Sequence, residues 1–89
     1  MNTIDRKIAD RDVLLGSLIA ADRFAVAALE RKDDLALLRR IAKACIIDAV
    51  PLAVERASLR GNGNVKIARA LGVAVAEVES HVAATLGRR

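Results

Sequence analysis

The sequence predicts an all-α fold, a single domain of four helices over residues 1–89. Three observations point there. The chain is 54% hydrophobic yet holds one aromatic residue, Phe24, so Ala, Leu, Val and Ile carry the apolar content; Ala and Leu lose little conformational freedom on entering a helix. Apolar residues recur at helical spacing, and no stretch alternates with period two between turn residues. Only one proline, Pro51, interrupts the chain.

Residues 1–9 are polar and are expected to precede the first helix. Asp10 or Asp12 can cap that helix, which runs to about Arg31. Leu14, Leu18, Ala21, Ala25 and Ala28 fall on one face, widened by Leu15, Ile19, Val26 and Leu29. Lys32-Asp33-Asp34 connects to the next helix, with Asp33 or Asp34 as its N-cap.

The second helix starts near Leu35, with Arg39, Arg40 and Lys43 on its exposed side. From Ala44 to Val54 the only charge is Asp48. A helix apolar on every side must be buried on more than one. In so short a chain the expected cover is a second copy, as a two-fold homodimer. Pro51 removes a helical hydrogen bond and crowds the preceding turn, predicting a kink near Ile47 in a helix that continues to about Leu59. Residues 10–59 are thus read as dimerisation helices. Cys45 has no internal partner and reads as a buried thiol packed as a small hydrophobe.

Arg60-Gly61-Asn62-Gly63-Asn64 ends the second helix. Gly61 suits a left-handed C-cap, and Asn62 or Asn64 an N-cap. A short helix follows from about Val65 to Leu71, then the turn Gly72-Val73-Ala74 and a last helix from about Val75 to Leu86. Residues 62–86 have helix-turn-helix spacing. Ala68 is small where two helices cross, Gly72 turns without a Cβ penalty, and Ile67, Leu71, Val73, Val78 and Val82 form the wedge between them.

The net charge is +4 and is unevenly placed. Residues 1–50 carry nine basic and eight acidic side chains, residues 51–89 six and three. The excess sits with the helix-turn-helix and suits a polyanion. Lys66, Arg69, Arg56, Arg60, Arg88 and Arg89 are the candidate phosphate contacts. Ala74, Ala76, Glu79, Ser80 and Ala83 are the face the last helix would turn to a DNA groove. That face is poor in the Arg, Asn and Gln groups that read base edges. Binding through phosphates and DNA shape is therefore expected, with a steep salt dependence.

Ile67-Ala68-x-x-Leu71-Gly72-Val73 with Val78-Glu79-Ser80-His81-Val82 resembles the final helices of LuxR-type regulators and of sigma-factor region four. The order of Pro51-Leu52, Arg60-Gly61-Asn62 and the closing motif resembles the Fis-like nucleoid proteins over about residues 34–86. That resemblance implies an interlocked dimer of N-terminal helices and duplex DNA as partner.

Catalysis has little support. One His and one Cys cannot form a zinc site, and the glycines at 61, 63 and 72 make no phosphate loop, so no catalytic residue, metal or cofactor is expected. No stretch is long and apolar enough for a membrane span, and the start does not read as a signal peptide; a cytoplasmic, nucleoid location is expected. The alternative reading is a protein-interaction module. In that case a degenerate helix-turn-helix contacts RNA polymerase or another regulator through its acidic, Ala-rich last helix.

Overall fold

Side-chain caps set where the first three helices start. A computed structural model describes residues 2–85 and contains, among them, six α-helices, one 3-10 turn and no strand. The all-α class is as expected; the four-helix count is not, because both long helices are divided.

The first helix, α1 (Thr3–Ile19), begins earlier than expected. The Asn2 side chain accepts the Asp5 N–H at 2.8 Å and so takes an orphan donor of the first turn. The chain turns at Ala20–Asp22 and re-enters helix as α2 (Arg23–Glu30). Asp22 causes the break. Its carboxylate accepts the Ala25 N–H at 2.9 Å, as an Asp does at a helix start better than inside one. The break changes the buried face. Leu15 and Ile19 are sealed in the core, while Leu14 and Leu18 are 54% and 40% exposed.

Asp33 caps α3 (Asp34–Ala44), accepting the Ala36 N–H at 3.1 Å. The expected kinked helix ends here instead of bending. Cys45 takes a left-handed conformation (φ 57°), and the Ile46 N–H closes on the Ile41 carbonyl at 3.1 Å. This is the usual closure of a helix C-terminus, made without glycine. A 3-10 turn (Ile47–Ala49) leads into α4 (Val50–Leu59), which places Pro51 in a first turn where its missing N–H costs nothing. Cys45 is exposed, not buried.

α4 ends at the expected glycine. Gly61 has φ 92°, and the Asn62 backbone N–H and side-chain Nδ2 both donate to the Ala57 carbonyl, at 3.0 and 3.1 Å. Asn62 therefore closes α4, and Gly63 is the N-cap of α5 (Asn64–Leu71). α6 (Val75–Thr85) follows.

α1 lies against α4, α2 against α3, and α3 and α4 against each other; α5 packs on α3 and α6 on α4. Ala49, Ala53 and Val54 are inaccessible in this arrangement. Within the apolar run of residues 44–54 these three positions are covered by the chain's own helices, while Ala44, Ile46, Val50, Pro51 and Leu52 are partly buried and Cys45 is exposed. Burial of those three positions is made within one chain, and Ile47 remains 75% exposed.

Candidate nucleic-acid interface

α5 and α6 form a helical pair around a small apolar wedge. Ile67 and Val78 are inaccessible and Ala68 is 3% exposed, with Leu71, Val73 and Val82 packed partly against them. Gly72 makes the turn in the left-handed region (φ 75°), and the Gly72 and Val73 N–H groups both donate to the Ala68 carbonyl, at 2.8 and 3.1 Å. α6 starts with Glu77 N–H donating to the Ala74 carbonyl at 3.0 Å. Residues 64–85 are therefore two helices joined by a left-handed turn at Gly72, with Ala68 and Val78 buried between them.

The face expected to meet a groove is open to solvent. Ala74, Ala76, Glu79, Ser80 and Ala83 are all exposed, together with Glu77. It presents two carboxylates, one hydroxyl and methyl groups, and so repels phosphate more than it attracts it. His81 is half-buried and lines a largely apolar cleft with Ile47, Val50, Pro51, Leu71 and Val73.

The basic residues divide into two sets. Lys66 and Arg69 are exposed on α5 and line a groove with Leu35, Ala70 and Arg39. Arg39 comes from α3, because α5 packs beside that helix. Its other side lines a second cleft with Phe24, Ala36, Arg40 and Lys43. No carboxylate among the described residues lines either depression, and none of their ion pairs involves Arg39, Lys43, Lys66 or Arg69. Four cations without ion pairs among the described residues thus line two adjoining depressions on α3 and α5, joined at Arg39, and form one basic band. The sequence alone marks Arg39 and Lys43 only as the exposed side of the second helix. Their helical spacing was visible, but their place beside Lys66 and Arg69 depends on the α3–α5 packing.

Arg56 belongs to the other set and is removed from the candidate interface. It is 1% exposed, the largest fully buried side chain among the described residues. Nη1 donates to Asp34 Oδ1 at 2.8 Å and Nη2 to the Leu29 carbonyl at 3.1 Å. Nε lies 2.6 Å from Asp12 Oδ1, a close ion pair without hydrogen-bond angles. Asp12 and Asp34 thus serve as partners of this guanidinium and not as helix caps. Arg60 is more open, but its Nε is held 2.9 Å from Asp34 Oδ2. A second pair, Arg11 Nε to Glu55 Oε1 at 2.6 Å, ties α1 to α4. Burial pushes the Asp34 carboxyl above the ordinary aspartate range, against the pull of Arg56 and Arg60. Arg88 and Arg89 lie outside the described residues.

Comparison with family models, with curated proteins and with solved structures gives no match. Among the described residues no group of three or more His, Cys, Asp or Glu could hold a metal ion, and no helix is long and apolar enough to cross a membrane.

Proposed function

We propose that the protein is a nucleic-acid-binding regulator that holds duplex DNA through phosphate contacts from the α3–α5 basic band, beside a helix-turn-helix. The observation that carries this reading is the groove between α3 and α5, where Arg39, Lys66 and Arg69 converge without a carboxylate. Exposed cations of this kind release condensed counterions when they meet phosphates, which supplies affinity without sequence preference. The methyl-rich, acidic face of α6 adds little base readout, so DNA shape takes that part. The Fis-like and LuxR-like order of the motif supports the same reading, apart from the proline kink, which is a break here.

A homodimer is part of this proposal, on different ground from the apolar run. Leu14 and Leu18, four residues apart on one face of α1, and Val13 beside them leave apolar surface in solvent. Two-fold pairing there would repeat the basic band on both halves of the assembly.

One observation favours a second reading, a protein-interaction module contacting RNA polymerase or another regulator. Glu77, Glu79, Ala76 and Ala83 of α6 form an exposed surface suited to a basic protein partner. Nuclear magnetic resonance with labelled protein separates the two. On adding mixed-sequence duplex at low salt, the proposal expects shifts at Arg39, Lys66 and Arg69 and along α5. An unchanged spectrum would reject DNA binding and leave the α6 surface as the one to pursue.

A further inference from the structure

We infer that the cleft on the α2 side of Arg39 takes an unpaired nucleotide, with its base stacked on Phe24 and its phosphates against Arg39 and Lys43. The inference rests on the nucleic-acid reading above and names a substrate class for a second part of the same band: a single-stranded segment.

Phe24 is the only aromatic residue of the chain, and it is 56% exposed at the start of α2. Burial of an aromatic ring is a large stabilising contribution, and this fold leaves about half of it unused. Two guanidiniums lie over the ring. The Arg40 guanidinium lies 4.9 Å from its centroid, and Asp22 fixes that guanidinium with contacts of 2.9 to 3.0 Å to both carboxylate oxygens. Asp22 is fixed in turn by the Ala25 N–H. Arg23 lies 5.1 Å from the centroid and has no ion pair among the described residues, so it can swing away from the ring or cover the far face of a base.

The cleft pairs this platform with cations. Phe24 and Ala36 supply apolar surface, and Arg39, Arg40 and Lys43 surround it. A nucleotide matches both halves, a planar π-face for the ring and a phosphate for the cations. This combination of a basic groove with an aromatic platform is how single strands are held without sequence preference. Arg39 is shared with the Lys66–Arg69 groove, so the strand's backbone can continue across α3 toward α5. A polypeptide of acidic residues alone would satisfy the cations but offers no aromatic face to Phe24.

The chain lacks Trp and Tyr, so Phe24→Trp creates a single fluorescent reporter at the platform. Three probes are titrated at low salt: a mixed-sequence DNA single strand about 10 nucleotides long, a blunt duplex, and poly-glutamate. Wild type, Phe24→Trp and Phe24→Ala are compared, with circular dichroism confirming the fold of each. The inference expects quenching of the Trp emission by the single strand. It also expects about tenfold weaker single-strand binding for Phe24→Ala, retention of binding in Phe24→Trp, and unchanged duplex affinity. Binding of duplex but not single strand overturns the inference and leaves the proposed function standing. So do equal losses on both probes, or poly-glutamate binding with the same dependence on Phe24. Binding of neither nucleic acid overturns both.

Discussion

Arg56 donates from Nη1 to Asp34 Oδ1 at 2.8 Å, and both side chains are withdrawn from water. The pair joins α4 to α3, and the Arg56–Asp12 contact extends the tie to α1. A buried ion pair is weak evidence of net stabilisation, but leaving one member without the other is costly. Arg56→Ala leaves Asp34 with Arg60 as its remaining cation, removes the tie to Asp12, and is expected to destabilise the fold by about 3 kcal/mol. Urea unfolding measures it. A loss no larger than that of an exposed Arg31→Ala control would refute this role.

Asp34 also sets a pH dependence with a definite sign. Its carboxyl is raised above 3.8 in the folded chain, burial being the largest cause. The native state therefore holds that proton more tightly than the unfolded chain. Its contribution to stability is fully present below the unfolded value of 3.8 and is lost as pH rises through the folded value. Asp34→Asn removes the titration. The difference in melting temperature, wild type minus variant, should grow in favour of wild type as pH falls through that window. Parallel curves would show that Asp34 does not titrate there.

Asp22 has the opposite sign. The hydrogen bond from Arg40 holds its carboxyl below the ordinary aspartate range. Stability from this pair is present above about 3.8 and lost as pH falls through the lower folded value. Asp22→Asn should therefore flatten the acid side of the stability curve, read as the melting temperature against pH. An unchanged acid limb would remove Asp22 from the account.

At Gly72 a Cβ would meet nothing within 4 Å, so its cost is conformational alone. Gly72→Ala forces an L side chain into φ 75° and is expected to lose about 1 to 2 kcal/mol in urea unfolding. A neutral outcome would mean the α5–α6 turn is not left-handed.

Cys45 gives the complementary test. Its φ of 57° carries the same penalty in the native chain, so Cys45→Gly should gain up to about 1 kcal/mol despite the added freedom of the unfolded state. Its exposed thiol should also react with a disulfide reagent in the folded protein without a lag for unfolding. A protected thiol would restore the continuous, kinked helix that the sequence alone suggests.

These two positions show what was legible in the sequence. Gly61, Gly72 and Asp33 announce themselves because left-handed turns and caps have local chemical requirements. The α5–α6 pair was readable for that reason, as was the exposure of the α6 face. The break at Cys45 was hidden because a cysteine stands where glycine is usual and apolar residues flank it. Asp22 resembled one more exposed charge on a long helix, and only its bonds to Ala25 and Arg40 mark it as a cap. Arg56 could not be read as buried, since Asp34 and Asp12 lie far away along the chain. The basic band was half visible. Lys66 and Arg69 stood out beside the motif, but Arg39 and Lys43 join them only through the packing of α3 against α5.

The most direct test of the central claim is the salt dependence of duplex binding, measured by fluorescence anisotropy for wild type and for the combined variant Arg39→Ala, Lys66→Ala, Arg69→Ala. All three side chains are away from the core and the variant should fold. Each lost phosphate contact removes about 0.9 from the slope of log affinity against log salt. Wild type is expected to show steep salt dependence, and the variant a slope shallower by roughly 2 to 3 with weaker binding at every salt concentration. Undetectable wild-type binding at low salt, or an unchanged slope in the variant, would contradict the claim.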